Sequence, residues 1–92
     1  MGAEMIRQRL IVRGRVQGVF FRDFTRAAAT RERVAGWAAN RPDGTVEVVL
    51  EGAPDAVATV TRVCRQGPPH AEVQSVEVDE QQPEGLDGFV IR

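Results

Sequence analysis

The stretch GRVQGVFFR, Gly14 to Arg22, lies where the hydrophobic pattern of the chain changes its period. Before it, residues 6–14 alternate loosely between apolar and polar side chains, which predicts a β-strand. After it, apolar residues recur every three or four positions, which predicts a helix over residues 22–32. The buried face of that helix is expected to contain Phe21, Thr25, Ala28 and Ala29. The stretch is therefore a junction between a strand and a helix.

A hairpin is predicted after the first helix. Residues 34–40 form a short apolar run and residues 45–52 alternate, with the turn sequence RPDG between them. In the second of these strands, Val46, Val48 and Leu50 are expected to face inward, and Glu47 and Glu51 outward.

A second helix is expected to begin near Pro54 and to stop at Gly67. Its buried stripe is predicted to contain Val57, Val60 and Cys64. Residues 71–79 predict a fourth strand, in which the apolar register shifts near Gln74 and Ser75 and indicates a bulge. Residues 88–91 predict a short last strand.

This element order predicts one domain over residues 1–92 of the α+β class. The arrangement is the ferredoxin-like (split β-α-β) sandwich, a mainly antiparallel sheet of four to five strands with two helices on one face. The first two strands are joined through a helix and should run parallel, with the third strand between them. Their carboxyl ends then share one edge of the sheet, so Asn40 should meet GRVQGVFFR.

Composition excludes several classes of protein. The chain carries a formal net charge of −1, so no bulk positive field attracts nucleic acid or acidic membranes. Cys64 is the only cysteine, which rules out an intrachain disulfide and favours a reducing compartment. No apolar run approaches the length of a membrane span. We therefore expect a cytoplasmic protein.

The junction itself has the features of an anion site. Glycines allow a loop to bend its backbone N–H groups towards one point, and the amides at a helix start have no internal partner. Such a concavity binds phosphate, and Arg22 would add a planar fork of donors. On these residues alone two interpretations stay open, a cradle for one phosphoryl group or a simple turn before a helix.

Two longer motifs resemble the acylphosphatase family. GRVQGVFFR is similar to its signature Gly-x-Val-Gln-Gly-Val-x-Phe-Arg, and GWAANRPDGTVEVVLEG, residues 36–52, is similar to its second motif. The second motif matches at Gly36, Trp37, Asn40, Gly44, Val46 and Gly52. The resemblance covers essentially the whole chain and implies the same ferredoxin-like fold.

The resemblance implies hydrolysis of the carboxyl–phosphate bond of acyl phosphates. Arg22 would bind the phosphate and Asn40 would position the attacking water, so these are the expected catalytic residues. The expected phosphate-binding residues are Arg15, Val16, Gln17, Gly18, Val19, Phe20, Phe21 and Arg22. No metal and no cofactor is expected. The expected partners are a small acyl phosphate and inorganic phosphate, without nucleic acid or membrane, and the family precedent is a monomer.

Two other functions are alternatives to hydrolysis. A phosphate- or carbamoyl-phosphate-binding module without turnover would use the same loop. RNA binding would need exposed aromatic residues and a basic sheet face, which this composition does not favour.

Several residues invite other interpretations. His70 lies in a proline-rich turn and is a weak candidate for a general base, and Cys64 is expected in the core. Trp37 and Phe89 are also expected in the core, and Phe20 at the mouth of the pocket. Asp23 could favour the helix start electrostatically or pair with Arg22, and we favour the first.

Two positions stand out against the family pattern. Arg33 replaces a glycine with which the family often closes the first helix. We therefore expect either local strain, if the position needs a positive φ, or a reshaped turn there, with no effect on the phosphate site. Gln17 matches the signature, but its pattern does not distinguish contact with substrate from support of the loop.

Overall fold

A computed structural model describes residues 4–92. The predicted domain spans residues 1–92, so residues 1–3 lie outside the described part. The elements are β1 (Ile6–Arg15), α1 (Phe21–Arg31), β2 (Ala35–Asn40), β3 (Val46–Gly52), α2 (Pro54–Gln66), β4 (Glu72–Gln81) and β5 (Phe89–Ile91). Their order is the predicted one. Neither helix within residues 4–92 has the length and apolar character needed to cross a membrane.

The strands form one sheet in the order β4-β1-β3-β2-β5. β3 is antiparallel to both β1 and β2, so those two strands run parallel to each other on either side of it. β5 pairs in parallel with β2 at the edge. The carboxyl ends of β1, β2 and β5 therefore lie at the same end of the sheet, and the α+β ferredoxin-like prediction is confirmed.

The core lies between the sheet and the two helices. Leu10 and Val12 of β1 and Leu50 of β3 are fully buried there. The predicted buried face of α1 is confirmed, as is that of α2. Because these residues follow periods of two in strands and about 3.6 in helices, one apolar stripe from each element reaches the core.

The predicted bulge in β4 is confirmed. Arg13 pairs with Ser75 but Gly14 pairs with Val73, so Gln74 is the extra residue. Gly14 has φ of +129°, and a Cβ atom there would collide with the backbone carbonyl oxygen of Glu72. Gly14 is therefore required by the close approach of β4 at the bulge.

The sequence predicts that Glu51 is exposed to solvent, and the structure contradicts this. Glu51 lies on the sheet face opposite the helices, as alternation predicts, yet its side chain is only 2 % exposed. Arg7 Nη1 donates to it at 2.7 Å. The backbone N–H groups of Glu84, Gly85 and Leu86 also donate to it, at 2.9–3.0 Å. The β4–β5 connection covers this carboxylate, and strand alternation carries no information about a segment that returns from far along the chain.

The prediction that Trp37 lies in the core is also wrong. Its neighbour Ala38 is fully buried under the helices, so Trp37 lies on the opposite face of β2, outside the core. The guanidinium carbon of Arg92 lies 4.2 Å from the centroid of its ring, in a cation–π contact. Phe89 does pack against the core as a partly buried residue.

Arg33 adopts a left-handed conformation, with φ of 58°, so the strained position is the one of the two predicted outcomes that is observed. It follows α1, where Val34 N–H donates to the Ala29 carbonyl at 2.8 Å and closes the turn. A side chain in this region of φ is strained by about 1 kcal/mol relative to glycine.

Candidate active site

One cavity opens where the carboxyl ends of β1 and β2 meet the start of α1. Its volume is about 240 Å³, which is below the range of pockets for drug-sized ligands and suits a small group. The lining residues are Val16, Gly18, Phe20, Phe21, Arg22, Asp23 and Asn40. The predicted meeting of GRVQGVFFR with Asn40 is therefore confirmed.

The loop between β1 and α1 leaves its amides without partners in the described chain. No backbone N–H group of residues 17–23 donates to an acceptor within residues 4–92. Gly18 (φ 74°) and Phe20 (φ 63°) both take left-handed conformations in this loop. A run of unpartnered amides at a helix start is available to a bound anion. Phe20 is 79 % exposed and lines the cavity, as expected for the pocket mouth.

Arg22 reaches the cavity from the first turn of α1. Its Nη1 donates to the backbone carbonyl oxygen of Arg92 at 3.0 Å, and no other hydrogen bond of this side chain is found within residues 4–92. The Arg92 N–H in turn donates to the Ala38 carbonyl at 2.9 Å, so the contact connects Arg22 to β2. One donor of the guanidinium fork is thereby fixed and the others remain for a ligand.

Asp23 does not pair with Arg22. Its carboxylate accepts from Arg26 Nη2 at 3.1 Å, one turn further along the helix. Its place in the first turn of α1 fits the favoured electrostatic role at the helix start.

Asn40 is the last residue of β2, exposed and opposite Val46 in the hairpin register. It lines the same cavity as Arg22, although 18 positions separate them in the sequence. Its amide is neutral, so it can donate and accept hydrogen bonds but does not act as a base at ordinary pH.

Gln17 has a structural partner that the sequence did not reveal. Its Nε2 donates to the backbone carbonyl oxygen of Arg41 at 2.8 Å and to that of Thr45 at 2.9 Å. The side chain thus joins the loop to the turn after Asn40. Only the fold brings these groups together, because a signature match gives a residue type and no partner.

The turn after Asn40 is held by a further contact, between Asp43 and Thr45. The Asp43 carboxylate accepts from the Thr45 hydroxyl at 2.6 Å and from the Thr45 N–H at 3.0 Å. These hydrogen bonds, the hydroxyl first, lower the pKa of Asp43 below its usual value. The signal was present in the sequence, since an Asp two residues before a Thr favours this local turn.

The remaining predicted phosphate-loop residues do not line the cavity with their side chains. Arg15 is exposed and pairs with Glu72 at 3.6 Å. Val19 packs against the core. They can contribute only through the backbone or by shaping the loop.

His70 and Cys64 lie where the sequence predicts them. His70 is exposed and is not among the residues that line the cavity. Cys64 is fully buried, and this burial raises its pKa to about 11 despite a hydrogen bond with Thr25, so it has no thiolate character at neutral pH. Within residues 4–92, no cluster of three or more His, Cys, Asp or Glu side chains is placed to bind a metal.

Comparison with known proteins gives the family. A family model described as Acylphosphatase matches residues 8–91. The chain belongs to the acylphosphatase family. An acylphosphatase of Rubrobacter xylanophilus is 52% identical over 96 residues, covering 99% of this chain and 87% of that protein. One of Pyrobaculum arsenaticum is 57% identical over 76 residues, covering 82% and 80%.

A solved structure agrees with this membership of the acylphosphatase family. The crystal structure of an acylphosphatase from Bacillus subtilis superposes with a TM-score of 0.92 at 39% identity, covering 95% of this chain and 98% of that chain. The resemblance and the enzyme class predicted from the two motifs are confirmed. Both family motifs lie at the cavity, the first through Arg22 and the second through Asn40.

Proposed function

We propose that this chain hydrolyses acyl phosphates to a carboxylate and inorganic phosphate at the cavity between β1, β2 and α1. The observation that supports this most is the shared cavity of Arg22 and Asn40 beside a loop whose amides have no partner within residues 4–92. A cationic fork and free amides suit a phosphoryl group, and a neutral amide nearby suits a water molecule.

In the first step of the proposal the phosphoryl oxygens bind to the loop amides and to the free donors of Arg22. Phosphoryl transfer depends mainly on positioning and on stabilising the charge of the transferred group. Donors that are already oriented for this charge need little reorganisation during the reaction. The contact of Arg22 with the Arg92 carbonyl keeps one part of its fork fixed.

In the second step Asn40 orients a water molecule for attack on phosphorus. The water oxygen forms the new P–O bond, and the bond between phosphorus and the acyl oxygen breaks. Its electron pair leaves with the carboxylate, whose conjugate acid has a pKa of roughly 4 and which therefore departs unprotonated. The proton of the water passes to a phosphoryl oxygen. No general acid is needed, and no His is required.

The loop amides and Arg22 supply the charge stabilisation that a metal provides in other phosphoryl-transfer enzymes. We propose that the reaction is metal-independent. Acyl phosphate hydrolysis should therefore continue at an unchanged rate in excess chelator, whereas a rate that falls with chelator and recovers with added Mg²⁺ would contradict this.

The first test replaces Arg22 with Ala. We expect kcat/KM for an acyl phosphate to fall by at least about 100-fold, because one charged donor to the transferred group is lost. Inhibition by inorganic phosphate should weaken in parallel. Arg26→Ala is the matched control, since Arg26 lies one turn along the same helix and pairs with Asp23. Near-normal rates in Arg22→Ala would contradict the proposed site.

The second test replaces Asn40 with Ala. We expect kcat to fall by about 100-fold while inorganic phosphate still inhibits at nearly the same concentration. Full activity of this variant would remove the water-positioning role. A wild-type protein that binds phosphate without hydrolysing acyl phosphates would instead be the non-catalytic binding module, which the comparisons do not favour.

The remaining expectations from the sequence stay predictions. They are a cytoplasmic location, a monomeric state and no nucleic-acid partner. Size-exclusion chromatography with light scattering tests the second, and a mass near 10.1 kDa is the expected result.

A further inference from the structure

The Gln17 side chain joins the two chain segments that form the cavity. The reaction proposed above assigns no role to this side chain. Its amide nitrogen contacts the carbonyl oxygens of Arg41 and Thr45 at 2.8 and 2.9 Å. Those carbonyls lie at the two ends of the turn that follows Asn40. The contact therefore links the loop between β1 and α1 to the hairpin that carries Asn40.

The chemistry of the contact is specific for a primary amide. The Arg41 carbonyl already accepts from Gly44 N–H at 3.1 Å, and the Thr45 carbonyl already accepts from Arg41 N–H at 2.9 Å. Each carbonyl has a second lone pair, and one amide nitrogen carries two N–H donors. A glutamine can thus satisfy both carbonyls at once. A carboxylate of the same length would repel them, and an apolar side chain would donate to neither.

We propose that Gln17 is a positioning residue that sets Asn40 in register with the bound phosphoryl group. This rests on the proposed function, because the register matters only if Asn40 orients the attacking water. Gln17 does not line the cavity, so it acts on the reaction through Asn40. A displacement of about 1 Å between reacting groups can lower a rate by about 100-fold, so a modest loosening of the hairpin should be measurable.

The kinetic test is Gln17→Met, which keeps the length of the side chain and removes its donors. We expect kcat to fall by about tenfold and the inhibition constant of inorganic phosphate to change by less than about twofold. Gln8→Met is the matched control. Gln8 is also a partly buried glutamine with two side-chain hydrogen bonds, to Thr61 and Glu80, and does not line the site.

A double-mutant comparison separates positioning from general damage to the fold. If Gln17 acts through Asn40, Gln17→Met should lower kcat little further in a protein that already carries Asn40→Ala. Independent multiplication of the two losses would overturn the proposal. So would a wild-type kcat in Gln17→Met, or a loss of phosphate affinity as large as the loss in kcat.

A spectroscopic test does not depend on turnover. Asn40 is the only asparagine in the sequence, so protein labelled with ¹⁵N-asparagine gives a single side-chain amide group. We expect Gln17→Met to move this signal, and to reduce its response to inorganic phosphate, more than Gln8→Met does. Identical spectra for the two variants would overturn the linkage. A moved signal in a protein that does not hydrolyse acyl phosphates would refute the proposed function and leave the linkage standing.

Discussion

The two ends of the sheet use backbone N–H groups in opposite ways. At the site end, where β1, β2 and β5 finish, the loop amides of residues 17–23 donate to no group within residues 4–92. At the far end, where β3 finishes, three backbone N–H groups of the β4–β5 connection converge on the Glu51 carboxylate. The protein thus supplies its own anion at the far end and leaves the loop amides without a partner in the described chain at the other.

Each end also contains one non-glycine residue in a left-handed conformation. Phe20 (φ 63°) lies in the loop of the site, and Arg33 (φ 58°) lies in the turn before β2 at the far end. Backbone strain therefore occurs at both ends of the sheet, but we expect only the strain at Phe20 to contribute to turnover. From this difference we expect changes at the far end to alter stability and changes at the site end to alter turnover.

The largest effect on stability should come from Glu51→Ala. The change removes the buried carboxylate nearest to the Arg7 guanidinium, which keeps its contacts with Gln81 and Glu84. It also leaves three backbone donors without an acceptor. We expect the free energy of unfolding to fall by about 3–5 kcal/mol, measured by urea denaturation. The control is Glu47→Ala on the same strand and face, where the more exposed pair with Arg9 should contribute less than about 1 kcal/mol.

Equal losses in Glu51→Ala and Glu47→Ala would contradict the special role of the buried carboxylate. A folded Glu51→Ala protein with strongly reduced kcat would contradict the expectation that the far end affects stability and not turnover.

Protonation of Glu51 at low pH should lower the free energy of unfolding by less than Glu51→Ala does, because a protonated carboxyl still accepts some hydrogen bonds. Burial by itself raises the pKa of Glu51, but the hydrogen bonds from Glu84 N–H, Arg7, Leu86 N–H and Gly85 N–H together lower the pKa below its usual 4.5. The unfolded chain then takes up the proton first as pH falls. This contribution to stability is present above about pH 4.5 and is lost as pH falls through the folded-state pKa.

Urea denaturation between pH 6 and pH 3 measures this loss. Glu51→Gln should show a shallower decline than the wild type over that interval, since it has no carboxylate to protonate at this position. Parallel curves for the two proteins would mean that other carboxylates account for the acid sensitivity.

At the site end, Phe20→Gly should remove backbone strain and lower turnover by several fold. Glycine relaxes a left-handed φ but makes the loop more flexible, so its amides are less well arranged for phosphate. Phe20→Ala keeps the strain and removes the exposed ring, and should retain more activity. If the alanine variant is the weaker enzyme, the ring rather than the backbone conformation is what matters at this position.

The smallest effect should come from Arg33→Gly. Relief of the positive φ should raise the free energy of unfolding by about 1 kcal/mol, with kcat unchanged. Arg33→Ala keeps the strain and serves as the control, with stability near that of the wild type. Thermal and urea denaturation of the three proteins would show this, and a stabilised alanine variant would mean that the arginine side chain is the cause.

The order of elements was predictable because hydrophobic periodicity is a local property of the chain. The helical spacing of Phe21, Thr25, Ala28 and Ala29 identified the buried face of α1 without error. For Arg33 the sequence predicted strain or a reshaped turn, and only the structure showed that the residue keeps a positive φ. The prediction for Trp37 was wrong, since a large apolar side chain on a strand can pack on either face of the sheet.

Local pattern and residue chemistry alone were sufficient to indicate the fold class and the strand–helix junction at Gly14 to Arg22. They also indicated that Arg22 and Asn40 lie at the same edge of the sheet. Only the tertiary structure decided which loops are pinned by which side chains. Gln17 reaches Thr45 across 28 positions, and Glu51 reaches Glu84 across 33. Such contacts form between groups that share no periodicity, so they follow from the path of the chain in space and not from any short pattern.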